Sequence, residues 1–268
     1  VNVKVGASSD DMVALMKTGE YDVVSASGDA SLRLIYGGDV SPVNTDLIPN
    51  YADVFANLKD QPWNSVNGVA YGVPHGRGAN LLAYRTDVVK PAPTSWGSVF
   101  DTNSPYKGKI TAYDSPIYIA DAALYLMATQ PDLGIKYPYA LDQKQFDAAV
   151  ELLKAQKPLI GEYWGDYLKH VASLKSGGTV LGTTWQVNIN LAKSEGVKVE
   201  GIKPVEGSTG WSDTWMVSSQ AKHPNCAYLW MNHIASPAAN AGVAEWFGEA
   251  PSNAKSCDLT ADKNHCAT

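Results

Sequence analysis

The chain has 268 residues, of which 45% are hydrophobic and 18% charged, and its formal net charge is −6. This composition excludes a disordered chain, and the length allows one large domain or two lobes. The negative charge disfavours a nucleic-acid partner, and no apolar run approaches the roughly 18 residues that a membrane helix needs. We therefore expect a folded globular protein that does not insert into a membrane.

The first segments alternate between strand and helix patterns. Residues 1–5 alternate as a strand does, with no signal peptide before them, residues 8–11 form a helix-capping cluster, and residues 21–25 predict a second strand. This order is typical of a βαβ unit in a parallel sheet, whose ligand crevice lies at the carboxyl ends of the strands. Ser27 and Asp29 follow the second strand, so they are candidates either for ligand binding or for capping the next helix.

Glycines and one arginine mark the segment that follows. Asn67 and Gly68 predict the turn of a hairpin. Gly76 and Gly78 are spaced as in phosphate-binding loops, but the third glycine of a dinucleotide site and the lysine of a P-loop are missing, so we reject both. Arg77 between them is suited to bind a carboxylate with two hydrogen bonds. The alternatives are a solvated arginine or one paired with an internal carboxylate.

The middle of the chain predicts a second lobe. A proline-rich segment follows residue 84, which is where we place the first crossing between lobes. Residues 109–113 predict a strand, and residues 119–128 and 146–155 predict apolar helices. Asp114 stands at the end of that strand, where it either caps a helix or meets a ligand.

Two later strand ends carry tryptophan. Trp185 follows a predicted strand. Its side chain is either a ring that stacks on a ligand or an indole of the hydrophobic core. Along the strand at residues 210–215, the side chains of Trp211, Asp213 and Trp215 share one face. A carboxylate between two indoles is suited to bind an organic cation, with about 0.5 to 2 kcal/mol of cation–π attraction per ring when desolvated. The alternative is that the indoles are core residues and the aspartate belongs to a turn.

The three cysteines suggest an oxidising compartment. Cys257 and Cys266 are nine positions apart in a polar segment, which predicts a disulfide-closed loop in an oxidising compartment. Cys226 is then either a buried thiol or the partner of a cysteine upstream of this sequence. No CxxC pair and no metal-ligand spacing occurs, so we expect neither a metal nor a cofactor.

An ordered set of motifs resembles the solute-binding proteins of polyamine ABC importers and covers nearly the whole chain. The motifs are YDVVSAS at 21–27, YGVP at 71–74, TTW at 183–185, KPVEG at 203–207, GWSD at 210–213, AKHP at 221–224 and AYLWM at 227–231. The resemblance implies an α/β, two-lobed periplasmic-binding-protein fold of type II with a mixed sheet in each lobe and its first β-α unit missing at the N-terminus. In that arrangement lobe 1 contains residues 1–84 and 203–250, and lobe 2 contains residues 85–202 with 251–268.

The resemblance also implies a function. We expect a monomeric, exported protein, periplasmic or at the cell surface, that closes its lobes on a small amine and delivers it to an ABC permease. The ligand would be a polyamine such as putrescine or spermidine. Within the family, Trp185 corresponds to a stacking ring, Asp114 or less directly Asp121 to an acid that holds an amine, and Phe247 or Glu249 to an aromatic contact. The expected ligand-binding residues are Ser27, Asp29, Arg77, Asp114, Trp185, Trp211, Asp213 and Glu249.

Arg77 departs from the family, which usually has tryptophan at this position. An arginine would repel a second ammonium group, so an ω-amino acid such as 4-aminobutyrate is the other expected ligand. The rival hypothesis is a hydrolase or another enzyme that acts on a small amine. No Gly-x-Ser-x-Gly elbow occurs and the five histidines are scattered in the sequence, so we expect no enzyme.

Overall fold

A computed structural model of the chain describes residues 1–263, 265 and 266. Its α-helices are α1 Ser9–Met16, α2 Gly28–Tyr36, α3 Gly97–Phe100, α4 Tyr118–Thr129, α5 Gln143–Gln156, α6 Tyr167–Ser176, α7 Gln186–Ser194, α8 Pro224–Ile234 and α9 Pro237–Phe247. Its strands are β1 Val23–Ser27, β2 Val40–Ser41, β3 Ser65–Val66, β4 Val69–Ala70, β5 Gly72–Ala79, β6 Leu81–Arg85, β7 Ile110–Tyr113, β8 Ile160–Trp164, β9 Leu181–Thr184, β10 Val199–Ile202, β11 Gly210–Ser218 and β12 Ala250–Pro251.

The chain divides into two compact units. Unit 1 comprises Val1–Gly78 and Trp211–Thr268, and unit 2 comprises Ala79–Gly210. The expected boundaries differ from this division at three places. Residues 79–84 belong to unit 2 because β6 pairs with β9 and β10, and residues 203–210 follow β10 in the same unit. Residues 251–268, expected in lobe 2, belong to unit 1, where β12 pairs with β5.

Unit 1 is built on a five-stranded sheet with helices packed against it. Its sheet has the order β1, β11, β5, β12, with β2 also paired to β11. On one side of the sheet, Met16 of α1 and Leu34 of α2 pack with Met216 of β11. In a second cluster, Met231 of α8 packs with Val73 of β5. Burying these side chains stabilises the unit at about 25 cal/mol per Å² of apolar surface removed from water.

Two local predictions for unit 1 have opposite outcomes. Asn67 and Gly68 form the predicted turn between β3 and β4, and both have positive φ angles, 52° and 77°. The strand predicted for residues 1–5 is wrong. Within the described residues that segment pairs with no strand, and Val1 is 93% exposed. Alternation alone does not form a strand without a neighbour that accepts its hydrogen bonds, and β1 instead pairs antiparallel with β11.

Unit 2 has a mixed sheet covered by helices on both faces. The strand order is β10, β6, β9, β7, β8, with parallel pairs at β9–β7 and β7–β8 and antiparallel pairs elsewhere. Leu82 of β6 joins the core under α4 and α5, and the next residue, Ala83, joins the core under α6 and α7. The two apolar helices predicted in this part of the chain are therefore confirmed as α4 and α5.

The cysteines follow the sequence prediction in one of two respects. Cys257 and Cys266 form a disulfide within unit 1, as predicted. Cys226 is an exposed free thiol at the start of α8, so the prediction of a buried thiol is wrong. The position is accessible because the buried side chains of α8 are on its other face, where Ala227 and Met231 contact the core.

Candidate binding residues in the two units

Strands β1 and β11 bring serine and aspartate together in unit 1. Their antiparallel register places Ser27 opposite Asp213 and Ser25 opposite Trp215. The Ser27 hydroxyl donates a 2.6 Å hydrogen bond to Asp213 Oδ1. Ser27 occupies the N-cap position of α2, but its side chain bonds to Asp213 and makes no capping hydrogen bond. A helix-capping side chain at Ser27 is therefore not observed, because the Ser27 hydroxyl bonds to the Asp213 carboxylate instead.

The face of β11 follows the predicted alternation. Trp211, Asp213 and Trp215 are half-buried, whereas Ser212 and Thr214 on the other face are buried. The side chain of Asp213 keeps 23% of its surface exposed. Trp211 packs edge-on against Phe247, with ring centres 5.5 Å apart. The carboxylate thus lies on a partly open aromatic face.

His75 of β5 joins this cluster, and sequence analysis missed it. His75 Nε2 lies 2.8 Å from Ser25 Oγ and 3.9 Å from Asp213 Oδ2, and its Nδ1 lies 3.6 Å from Glu249 Oε1. The Glu249 side chain is only 1% exposed, so it faces the histidine rather than solvent. The one available signal was position, since His75 and Arg77 are two residues apart on a strand and share a face.

Burial and charge act in opposite directions on this histidine. Burial alone lowers the pKa of His75, but the interaction with Glu249 and the negative charge of Asp213 outweigh burial and raise it. Burial raises the pKa of Glu249, and the nearby His75 lowers it in part. The protonation of His75 and the protonation of Glu249 therefore depend on each other.

The glycines flanking Arg77 allow two side chains to approach β5 closely. A Cβ atom at Gly76 would overlap the Glu249 carboxylate, and one at Gly78 would overlap the Trp211 indole. This explains the spacing that resembled a phosphate loop. The Arg77 guanidinium lies 5.8 Å from the centre of the Phe55 ring. In the described part of the chain it forms no ion pair with an acidic side chain, so the alternative of an internally paired arginine is not observed.

Asp29 contacts an arginine on its own helix. It is in the first turn of α2, where its Oδ2 is 3.5 Å from Arg33 one turn later. The same arginine makes a shorter contact of 2.6 Å with Asp10. Burial raises the pKa of Asp29, and the positive charge of Arg33 lowers it in part. An aspartate in a helix first turn is favoured by the helix dipole, and the ligand-binding role expected for Asp29 stays a prediction.

In unit 2, Trp185 stands at the end of β9 among aromatic rings. Its ring centre is 4.8 Å from Trp164 and 5.0 Å from Tyr113, and Trp164 in turn stacks on His170 at 4.9 Å. The Trp185 indole N–H donates a 3.1 Å hydrogen bond to Asn80 Oδ1. Burial lowers the pKa of His170 to about 3. The ring of Trp185 is therefore held by neutral neighbours, and the residue is half-buried.

Asp121 of α4 is a second acid in unit 2, and it is only 2% exposed. The Thr209 hydroxyl donates a short hydrogen bond to Asp121 Oδ1, and the Asn80 side-chain amide donates a 2.7 Å bond to Thr209 Oγ1. Burial raises the pKa of Asp121 to about 7, although hydrogen bonds from Thr209 and Asn80 lower it in part. These bonds join α4 to residues 80 and 209, next to the two points where the chain passes between units.

Asp114 has a more open position. It follows β7, its backbone N–H donates a 2.8 Å bond to the Trp164 carbonyl, and its side chain is exposed. Helix α4 has Ile117 at its N-cap and no side-chain cap, so the capping alternative for Asp114 is not observed. The residue lines a unit 2 cavity of about 340 Å³ together with Tyr163 and Gln156. In the described residues, no group of three or more His, Cys, Asp and Glu side chains is arranged to hold a metal ion.

The sequence profile of the bacterial extracellular solute-binding proteins matches residues 1–265 of the chain. The chain belongs to this family. Among the described residues of this solute-binding protein, no helix has the length and apolar character needed to cross a membrane. The family binds small-molecule ligands and works with ABC permeases.

Individual relatives agree with this assignment. The protein is 24% identical over 245 residues to the spermidine/putrescine-binding periplasmic protein of Escherichia coli K12, covering 90% of this chain and 67% of the relative. The structure of the spermidine/putrescine ABC transporter substrate-binding protein of Streptococcus pneumoniae superposes with a TM-score of 0.75 at 18% identity, over 96% of this chain and 76% of that one. A GABA receptor, Atu4243, superposes with a TM-score of 0.74 at 22% identity, over 99% and 77%.

These comparisons decide several sequence predictions. The resemblance to polyamine-binding proteins and the two-lobed periplasmic-binding-protein fold are confirmed. The relatives are solute-binding proteins rather than enzymes, so the prediction of a non-enzyme is also confirmed and the hydrolase alternative is set aside. The ligand itself is a separate question.

Proposed function

We propose that this solute-binding protein takes up a small metabolite that carries an ammonium group, and that Asp213 receives that group. The observation that carries the proposal is the setting of the Asp213 carboxylate. It lies on a half-buried face with Trp211 and Trp215, is held by the Ser27 hydroxyl, and has no lysine or arginine in ion-pair contact within the described residues. Such a carboxylate gains most from a cation that arrives from solution.

The physical terms favour an organic ammonium over an inorganic cation. The carboxylate supplies charge and a charge-assisted hydrogen bond, which is about twice as strong as a neutral one. Each indole adds about 0.5 to 2 kcal/mol of cation–π attraction when the cation is desolvated. The bond from Ser27 fixes the orientation of the carboxylate before the ligand arrives, which lowers the entropic cost of binding.

Arg77 supports an ω-amino acid such as 4-aminobutyrate as the ligand. The guanidinium lies beside Phe55 with no acidic partner in the described part of the chain, and it shares a strand face with His75. A free guanidinium is suited to a ligand carboxylate, and it repels a second ammonium. The second candidate is a diamine such as putrescine, which the 24% identity to the spermidine/putrescine-binding protein of Escherichia coli favours.

We also propose that the protein acts outside the cytoplasm and delivers its ligand to an ABC permease. The relatives from Escherichia coli and Streptococcus pneumoniae support this role by their names, as a periplasmic binding protein and as an ABC transporter substrate-binding protein. Closure of the two lobes on the ligand, the contributions of Trp185 and Asp114, and a monomeric state stay predictions. Small-angle scattering of the protein with and without ligand tests closure and mass together.

Four matched ligands of one chain length test the proposal. We expect 4-aminobutyrate to raise the melting temperature most and butylamine, which lacks the carboxylate, to raise it less, because a ligand that binds only the folded state stabilises it. Butyrate lacks the ammonium and should have no effect. Putrescine binding more tightly than 4-aminobutyrate by calorimetry would assign the site to diamines. If butyrate stabilised the protein as much as 4-aminobutyrate, Asp213 would not be the ligand's partner.

A further inference from the structure

The His75 ring stands between two carboxylates that come from distant parts of the chain. Glu249 lies before β12 and faces Nδ1 at 3.6 Å, and Asp213 of β11 faces Nε2 at 3.9 Å. Among the described residues, the other hydrogen-bonding groups at His75 are neutral. The Ser25 hydroxyl lies 2.8 Å from Nε2, and the Asn240 amide donates to the His75 carbonyl.

Glu249 keeps a proton on this pair. Its carboxylate is almost fully buried, and a buried charge without a cation is costly, so the pair is most stable when it holds one proton. His265 also lies near, with its Nε2 2.8 Å from the Glu249 carbonyl. The raised pKa of His75 agrees with this arrangement.

We propose that His75 makes ligand binding compete with a proton: the positive charge that a proton puts on the His75 ring, between Glu249 and Asp213, partly neutralises Asp213 in the free protein, and a ligand ammonium at Asp213 drives that proton into solvent. This inference rests on the proposed function. The free protein holds one proton on the pair, the ammonium keeps all of its own protons, and the pair releases its proton as the ammonium binds.

The competition predicts the sign of the pH dependence. Below the titration of the pair, the proton remains and opposes the ammonium, so binding is weak. As pH rises through that titration the proton leaves, the negative charge near Asp213 increases, and the affinity for an ammonium increases. The slope is at most about tenfold per pH unit for a single linked proton. A ligand amine with a pKa near that of lysine does not itself titrate in this range.

Calorimetry of the whole chain with 4-aminobutyrate and with putrescine as probes measures this linkage. Titrations in buffers with different ionisation enthalpies, from about pH 5.5 to about pH 8.5, give the number of protons released. We expect up to one proton released in the window where the affinity rises. The His75→Gln and Glu249→Gln variants should bind without proton release and with a flat pH profile. The matched control is Asp121→Asn, which removes a buried acid of unit 2 whose pKa burial raises to about 7 and should leave the release unchanged.

The outcomes separate this inference from the proposed function. Binding of a probe that requires Asp213 but releases no proton from the wild-type protein would overturn the role of His75 and leave the proposed function intact. That role would also be overturned if both glutamine variants folded and kept the linkage. If neither probe bound the wild-type protein at any pH, the proposed function would be contradicted and this inference with it. Titration of the His75 ring by NMR in the free protein gives a further measurement, since Asp213→Asn should lower its pKa.

Discussion

Asp213 in unit 1 and Asp121 in unit 2 are both carboxyl groups withdrawn from bulk water, but their neighbours differ. Asp213 keeps 23% of its side chain exposed, accepts a bond from Ser27 and lies near the His75 ring. Asp121 is 2% exposed and is surrounded by the neutral donors Thr209 and Asn80. The difference shows what partners do to a buried acid. Burial without a cation raises the pKa of Asp121 to about 7, although its neutral donors lower it in part, whereas an incompletely paired carboxylate on an open face is suited to a cation from outside.

The largest expected effect concerns stability and Asp121. Asp121→Ala leaves the buried Thr209 hydroxyl without its acceptor and opens a cavity beside the Asn80 amide, so we expect the free energy of unfolding to fall by roughly 3 kcal/mol. Asp213→Ala should cost less than about 1 kcal/mol, because its carboxylate is partly exposed. Urea denaturation of both variants measures the difference. Equal losses in the two variants would mean that the two acids play the same structural part.

The pH dependence of stability should distinguish the two acids next. The pKa of Asp121 is raised to about 7 in the folded protein, above its usual value of 3.8, so the folded state binds the proton more tightly than the unfolded state. The unfolding free energy of the wild-type protein relative to Asp121→Asn should therefore fall as pH rises from about 4 to about 7, by about 4 kcal/mol, and then level off. Denaturation series of the two proteins at matched pH check this. A constant difference across that range would show that Asp121 is charged throughout.

Binding should depend on Asp213 instead. Asp213→Asn keeps the shape of the side chain and removes its charge, so we expect the affinity for 4-aminobutyrate to fall at least about 100-fold, or about 2.7 kcal/mol, with little change in melting temperature. Asp29→Asn is the matched control, because Asp29 is occupied by Arg33 on α2. Calorimetry of the two variants compares them directly. Loss of binding in the control but not in Asp213→Asn would move the ammonium site to α2.

The aromatic ring of unit 2 should have a smaller effect on binding. Trp185→Ala removes a half-buried ring expected to stack on the ligand, and we expect about 30-fold weaker binding, about 2 kcal/mol. Trp185→Phe keeps a ring but loses the hydrogen bond to Asn80, so its loss should be smaller. Trp246→Ala is a matched control at a tryptophan that is 60% exposed. An unchanged affinity in Trp185→Ala would assign the ring to the core alone.

The smallest effect should be one of selectivity. Arg77→Gln removes a guanidinium that contacts only Phe55 among the described aromatic side chains, so stability should hardly change. We expect 4-aminobutyrate to bind about tenfold less tightly, about 1.4 kcal/mol, with butylamine unaffected. The ratio of the two affinities from calorimetry is the informative quantity. A ratio that stays the same as in the wild-type protein would exclude a carboxylate contact by Arg77.

The features that could be predicted from the sequence are those that depend on residues close together in the chain. The alternation around Asp213, the Asn67-Gly68 turn and the apolar helices α4 and α5 follow from neighbours in the sequence, and the structure has them all. Residues 1–5 show the limit of that reasoning, because a strand also needs a partner strand. The family motifs supplied the order of the segments and the general class of the protein.

Long-range register explains what was missed. Ser25, His75, Asp213 and Glu249 come from four separate segments, and only the pairing of β1, β11, β5 and β12 brings them together. A single sequence contains no direct record of such pairing. The same reason accounts for the misplaced C-terminal segment, since the Asn253 amide bonds to the Ala235 carbonyl in unit 1.

A crystal structure of the protein with the tightest-binding amine of the panel tests the central claim most directly. The quantity to measure is the distance from the ligand's ammonium nitrogen to the nearest carboxylate oxygen of Asp213. We predict a charge-assisted hydrogen bond of about 2.7 to 2.9 Å, with Ser27 still bonded to the other oxygen. An ammonium held by a different acid, with Asp213 contacting only Ser27 and His75 as in the free protein, would contradict the account.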